Sequence, residues 1–320
     1  MKTVSVFHLF ISVNCIVLII LLFTNCPGGS KNGEEVVEEP TIYIADLGND
    51  RIAKMEDMTG TNFVTYDGDG GSAPLYGYDG PVDIYVTESG EFYLTDTNKH
   101  RVVYMEDFLG TNAKSLGIYG QGTNEFWGTY GLWLDTDEKI YVVDWGNDRI
   151  VRIDNIDGDN WLSYSGPVDD LFSEPLDIFS DGDNNIYVVD SGNDRIVRMD
   201  DMTGTNWTTF GELGSGINQF DRPTSMFIDR NDRIYISDSE NNRIVRIDNM
   251  NGDNWISYEN SSDPFDIPWG VYVDSQGRIY IADRYNDRVV RMDDMNGTDW
   301  TVFTGDADPL FNPIGVFCTE

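Results

Sequence analysis

An aspartate and an arginine recur together six times along the chain, always five positions apart. Such charged pairs occur in catalytic and binding sites, but identical residues at one offset in every repeat usually serve the stacking of repeats. We therefore expect each arginine to bond its aspartate and nearby loop carbonyls, which is a structural role. The pairs are Asp46 with Arg51, Asp96 with Arg101, Asp144 with Arg149, Asp190 with Arg195, Asp238 with Arg243, and Asp283 with Arg288.

Two further carboxylates are candidates for a metal site. Asp83 and Asp177 replace the glycine of the P-x-G pattern in two blades, two positions after the recurring proline. They favour an alternative function, a calcium-dependent hydrolase or lactonase, or a lyase, that works at a central channel. Calcium takes about six to eight oxygen ligands, so two carboxylates are a small set. The "DGDG" and "DGDN" segments lack the rest of an EF-hand loop and are explained by hairpin turns. We expect no cofactor, with calcium as the alternative.

The elements that position these residues are short strands. Every repeat offers four strand signals separated by turn residues, and the first two strands are apolar at nearly every position. Strands of that kind are buried on both faces, as in a ring of stacked four-stranded sheets. The spacing predicts an all-β, six-bladed β-propeller of antiparallel blades over residues 41–320. The segment "NPIGVF" near the C-terminus supplies the missing first strand of the first blade and closes the ring.

These repeats also carry a family resemblance. The pattern D-x-x-N-x-R after an "IYVA"-like strand, with P-x-G-[IV] before it, resembles the NHL repeat family; Lys99 replaces the asparagine in the second unit. The YWTD propellers of receptor ectodomains look similar around "FYLTD" and "IDGDNW". Both resemblances imply six blades. NHL-type amidating lyases need several histidines for zinc, whereas this chain has two, His8 and His100. No G-x-S-x-G motif occurs.

Charge and the N-terminus restrict the partners and the location. A net charge of −35 repels phosphate backbones, so nucleic acid is a poor partner. Residues 1–25 form an apolar leader with one lysine, followed by a flexible acidic linker over 26–40. The leader resembles a bacterial lipoprotein signal with Cys26 as the lipidated residue, and an uncleaved anchor helix is the alternative. Either one predicts a membrane-tethered domain in the cell envelope or outside the cell.

Irregular positions are the best candidates for ligand binding. All length variation between repeats lies in the link from strand four to the next strand one, on the face that carries the D-x-x-N-x-R loops. Insertions on one face of a repeat protein often mark its binding face. We expect a protein, peptide or glycan ligand there; a purely structural surface protein is a further alternative. Bulky side chains that most repeats do without are His100, Tyr130, Trp145, Trp269, Arg284 and Tyr285.

Overall fold

Four-stranded antiparallel sheets follow one another along the chain, six in all, in a computed structural model that describes residues 39–68, 77–305 and 307–319. The first blade contains β1 (Thr41–Asp46), β2 (Arg51–Met55), β3 (Val64–Tyr66) and β24 (Pro313–Thr319). The second contains β4 (Pro81–Val86), β5 (Phe92–Asp96), β6 (Arg101–Met105) and β7 (Lys114–Leu116). The third contains β8 (Thr129–Leu134), β9 (Ile140–Asp144), β10 (Arg149–Ile153) and β11 (Leu162–Tyr164).

The second half of the ring repeats this pattern. The fourth blade contains β12 (Pro175–Ser180), β13 (Ile186–Asp190), β14 (Arg195–Met199) and β15 (Thr208–Phe210). The fifth contains β16 (Pro223–Ile228), β17 (Ile234–Asp238), β18 (Arg243–Ile247) and β19 (Ile256–Tyr258). The sixth contains β20 (Pro268–Val273), β21 (Ile279–Asp283), β22 (Arg288–Met292) and β23 (Thr301–Phe303). The prediction of a six-bladed propeller is confirmed.

Closure of the ring joins the two ends of the domain in one sheet. Strand β24 pairs antiparallel with β1, from Thr41 opposite Thr319 to Ala45 opposite Gly315. The first strand of every blade also packs against the first strands of both neighbouring blades. The predicted closure by the C-terminal strand is therefore present.

Strand composition explains where the core lies. The second strands are apolar at nearly every position before their final aspartate, and β9, β17 and β21 are buried at every position. Apolar clusters fill the space between blades. Tryptophans just before the fourth strands pack there; the Trp300 ring, for example, lies 5.3 Å from that of Phe265 in the link before its blade and 6.1 Å from that of Tyr258 in the fifth blade. The ring is thus held by packing between sheets as well as within them.

The predicted leader and most of the linker, including Cys26, lie outside the described residues. The described residues all belong to one compact unit, which runs from Glu38 to Glu320. Within residues 39–68, 77–305 and 307–319, none of the helices has the length and apolar character needed to cross a membrane.

Candidate binding surface at the channel mouth

The six repeated aspartates are anchors at the ends of the second strands. One carboxylate oxygen of each accepts a hydrogen bond from the repeat arginine, with Nε to Oδ2 distances of 2.6 to 2.7 Å. The other oxygen accepts a backbone N–H from the link that precedes the same blade, for example Phe311 N to Asp46 Oδ1 at 2.8 Å. Both oxygens are thus committed to the fold, which leaves these residues a structural role.

Burial changes the titration of these anchors. It raises the pKa of Asp190 and of its four counterparts at positions 96, 144, 238 and 283, against the opposing effect of backbone, asparagine and arginine hydrogen bonds. The arginines have a second task. Arg243 donates from Nη1 and Nη2 to the carbonyls of Ser215, Gly216 and Gln219 in the preceding link at 2.8 to 3.1 Å. Each loop is therefore fastened to the link beside it, so loops and links share one face.

Lys99 replaces the repeat asparagine but makes the equivalent hydrogen bond. In the third and fifth blades the asparagine amide donates to a carbonyl of the preceding link, as Asn147 does to Gly120 O at 2.8 Å. Lys99 Nζ donates to Gly77 O at 2.6 Å in the same way. The second blade therefore keeps the loop geometry although lysine replaces its asparagine.

A belt of hydrogen bonds between blades runs around the same face. The residue before each repeat arginine has positive φ, and its side chain accepts a backbone N–H from the next blade at 2.7 to 3.0 Å. The sixth bond, Asn312 N to Asp287 Oδ1, completes the circle. His100 belongs to this belt through Nδ1, which accepts from Gly128 N at 3.0 Å. The belt acceptors are Asp50, His100, Asp148, Asp194, Asn242 and Asp287.

Five of the six predicted ligand-binding residues converge where the channel opens on this face; we call Tyr130, Trp145, Trp269, Arg284 and Tyr285 the mouth cluster. The rings of Tyr130 and Trp145 lie 5.6 Å apart. Tyr130 and Trp269 both pack on an apolar cluster that includes Ile314 at the start of β24. These two side chains thus cover the channel mouth, as expected if they served packing. The cluster is nevertheless partly accessible to solvent, and Tyr285 is 53% exposed.

Arg284 lies at the centre of the mouth cluster. Its guanidinium carbon is 4.6 Å from the ring centre of Trp269 and 4.9 Å from that of Tyr285. Burial raises the pKa of the Tyr130 phenol, in the opposite blade, and the positive charge of Arg284 offsets part of that rise. The cluster therefore combines aromatic surface with one positive charge.

A second aromatic group lies beside His100, the sixth predicted residue. The His100 ring is 5.1 Å from Tyr119, which is 5.8 Å from Trp127. Tyr119 and Trp127 are 61% and 42% exposed. They belong to the link before the third blade, where Trp127 covers Gly146 at a distance that excludes any side chain there. This exposed pair extends the aromatic surface outward from the mouth cluster, and sequence reasoning missed it.

The channel itself is closed by six aromatic side chains; we call Tyr85, Trp133, Phe179, Phe227, Tyr272 and Phe317 the channel ring. Each stands four residues after the recurring proline position. Neighbours around the ring have centroids 4.0 to 5.4 Å apart, and the contact of Phe317 with Tyr85 completes the circle. The remaining cavity along the axis is about 50 Å³. A water molecule needs about 10 to 15 Å³ of such space, so this cavity holds only a few waters.

Asp83 and Asp177, the predicted metal candidates, line that cavity. Their oxygens link neighbouring blades: Asp83 Oδ2 accepts from Leu132 N at 2.7 Å, and Asp177 Oδ2 from Met226 N at 2.9 Å. Burial raises the pKa of both, and the charge of Asp177 raises that of Asp83 further. The described part of the chain brings no three histidine, cysteine or acidic side chains together as a metal site.

The channel ring and the belt each had a signal in the sequence. An aromatic residue recurs at the fifth position of all six first strands, and the residue before each repeat arginine always carries a side-chain acceptor. In contrast, the stacking of Arg284 has no repeat signal, because it occurs in one blade.

Comparisons with known proteins support the fold. No curated protein matches the chain in sequence. A streptogramin B lyase structure aligns at 16% identity over 88% of each chain, with a TM-score of 0.60. A catalytically inactive virginiamycin B lyase from Staphylococcus aureus with quinupristin aligns at 15% identity over 84% of this chain and 86% of that one, with a TM-score of 0.57.

A chain of the nidogen/laminin complex aligns at 14% identity over 88% of this chain and 98% of that one, with a TM-score of 0.68. Identities this low show the fold alone. The NHL repeat family matches residues 265–292, which end with β22. The protein is a six-bladed β-propeller with an NHL repeat in its sixth blade.

Proposed function

We propose that this protein is an exported, membrane-tethered, non-catalytic propeller that binds a protein, peptide or glycan on the face carrying the D-x-x-N-x-R loops. The observation that carries the proposal is the mouth cluster. Its aromatic side chains and its arginine are absent from equivalent positions in most blades, so the repeat does not require them. Tryptophan, tyrosine and arginine are also the residues that dominate binding hot spots.

The closed channel supports a surface site over an internal one. An axial cavity of about 50 Å³ beneath the mouth cluster is too small for a substrate. Ligand pockets for small molecules usually measure about 300 Å³ or more. His100 is the only histidine after the leader, and its Nδ1 accepts a backbone hydrogen bond. The inactive virginiamycin B lyase carries alanine in place of a histidine, which points to a different use of the fold in that enzyme.

Alanine substitutions test the proposal. Arrays of peptides and glycans would first identify a ligand of the full-length protein. Trp145→Ala and Tyr285→Ala should each weaken its binding by about 2 kcal/mol or more, with little change in melting temperature. Trp161→Ala is the matched control, because Trp161 packs on Phe126 and beneath Arg149 away from the mouth. It should lower stability and leave affinity unchanged. Loss of stability with full affinity in the two mouth variants would contradict the proposal.

The alternative is a metal-dependent hydrolase, lactonase or lyase that uses Asp83 and Asp177. It rests on one observation, two carboxylates of raised pKa in a channel. Groups perturbed in this way are candidates for functional sites. Metal analysis of the purified protein, followed by an esterase and lactonase screen with and without chelator, tests it. Stoichiometric calcium with chelator-sensitive turnover would establish the enzyme and overturn the binding proposal.

A further inference from the structure

Arg284 has no counter-ion among the described residues. Among the described residues it forms no ion pair, and no side-chain hydrogen bond of it is present, although the guanidinium carries five N–H donors. Its Nε is buried without a partner. The repeat arginines behave in the opposite way; Arg288, four residues later, bonds both Asp283 and Asp263. In a chain of net charge −35, carboxylates are plentiful, so the lack of an ion pair at Arg284 is informative.

The aromatic rings hold this charge in place and leave its donors free. Trp269 and Tyr285 lie within 5 Å of the guanidinium carbon, where they attract the cation through its faces. The N–H donors lie in the guanidinium plane, and in that plane they match the two oxygens of a carboxylate. The hydroxyl of Tyr130 forms no hydrogen bond to any described residue either, and Tyr130 packs on the same apolar cluster as Trp269, the ring that carries Arg284. Two unused donor groups therefore converge at the mouth.

Net charge limits the kind of anion that can bind. The field of a strongly acidic protein repels polyanions at long range. A ligand with many negative charges, such as an acidic polysaccharide, is therefore disfavoured. A single carboxylate on an otherwise neutral or basic peptide avoids that repulsion, and an apolar group beside it would contact Trp145 and Tyr285.

We propose that Arg284 recognises one carboxylate of a peptide ligand at the mouth cluster, with Tyr130 as a second donor. The inference rests on the proposed function, because it names the ligand chemistry of the same surface. The carboxylate belongs either to a peptide C-terminus or to an acidic side chain, and the experiment separates these two sources.

Benzoate and benzamide are the first probes, because they share a ring and differ in charge. Tryptophan fluorescence of the full-length protein at low salt should report saturable binding of benzoate. Benzamide should bind at least about tenfold more weakly, the ratio expected for a charged hydrogen bond. Arg284→Gln should reduce benzoate affinity about tenfold, and Arg222→Gln should not; Arg222 is an arginine of the same face paired with Glu174. Equal affinity for both probes, or full affinity in Arg284→Gln, would overturn the inference.

Two blocked dipeptides then distinguish the source of the carboxylate. Acetyl-Gly-Phe carries a C-terminal carboxylate, and acetyl-Asp-Phe-amide carries only a side-chain one. Whichever binds more tightly to the parent should lose that advantage in Arg284→Gln. If neither depends on Arg284, the carboxylate inference fails. The proposed function would still stand if Trp145→Ala weakened binding of the ligand found on the arrays, so the two failures are distinguishable.

Discussion

Removing the last strand should open the ring. Deletion of residues 312–320 takes away β24, in which Ile314, Val316 and Phe317 are all at most 8% exposed. Burial of each such side chain contributes about 1.5 to 3 kcal/mol, so the three together contribute roughly 5 to 9 kcal/mol. The net stability of a typical domain is about 5 to 15 kcal/mol. We therefore expect the truncated protein to lose most or all of its folding free energy.

Thermal melting followed by circular dichroism measures this loss. Two point variants should show smaller losses of stability than the deletion. Phe317→Ala keeps the backbone pairing with β1 but breaks the channel ring, which should cost about 3 to 5 kcal/mol. Phe311→Ala changes a side chain that is 51% exposed just before the strand, and it should cost less than about 1 kcal/mol.

A synthetic peptide of residues 312–320 provides a second measurement. Added in excess to the truncated protein, it should restore the melting transition, because the open edge of β1 is a template for an added strand. Truncated protein that melts at the temperature of the parent would refute the closure argument. A truncated protein that stays folded and gains no stability from the added peptide would also refute it.

The remaining predictions concern the axial carboxylates, the repeat pairs and the leader. Because the pKa of Asp83 is raised in the folded protein, the folded state keeps a proton that the unfolded chain releases, and stability should fall as pH rises from about 4 through neutrality. Asp83→Asn should flatten that decline in melting temperature between pH 5 and pH 9, and an unchanged slope would contradict it. Arg243→Gln leaves a buried carboxylate without its cation and should cost about 3 to 5 kcal/mol. Arg222→Gln, at an exposed pair, should cost less than about 1 kcal/mol in the same denaturant titration. If Cys26 is lipidated, Cys26→Ala should abolish incorporation of labelled fatty acid and release the protein from membranes; an intact, unlipidated leader in the mature protein would favour an anchor helix.

Fixed offsets made the fold predictable. Strand order, the number of blades and the completion of the first blade all follow from intervals that never vary within a repeat. The pairing of Asp46 with Arg51 is predictable for the same reason, since the two residues close one hairpin and need no distant partner. Because the same local geometry recurs in six blades, one sequence is enough to recognise it.

The mouth cluster was predictable only as a set of unusual residues. Tyr130 and Arg284 lie in opposite blades, and nothing in their spacing along the chain brings them together. That proximity depends on the radius of the ring and on which side chains fill its axis. The acceptor role of His100 was missed for another reason. Aspartate, asparagine and histidine occupy the equivalent belt position, and they share a hydrogen-bond acceptor without sharing size or charge.

The belt and the closing strand together have a consequence for chain connectivity. Every junction between blades carries the same hydrogen bond, and the start of β1 stands directly opposite the end of β24. A short linker could therefore join Thr319 to Thr41, and new termini could open at an outer turn such as Gly182, which has no neighbour near its Cβ position. Circular permutation is tolerated at exposed turns of this kind. What this fold requires is a closed cycle of blades, and the point at which the polypeptide begins is free to move around it.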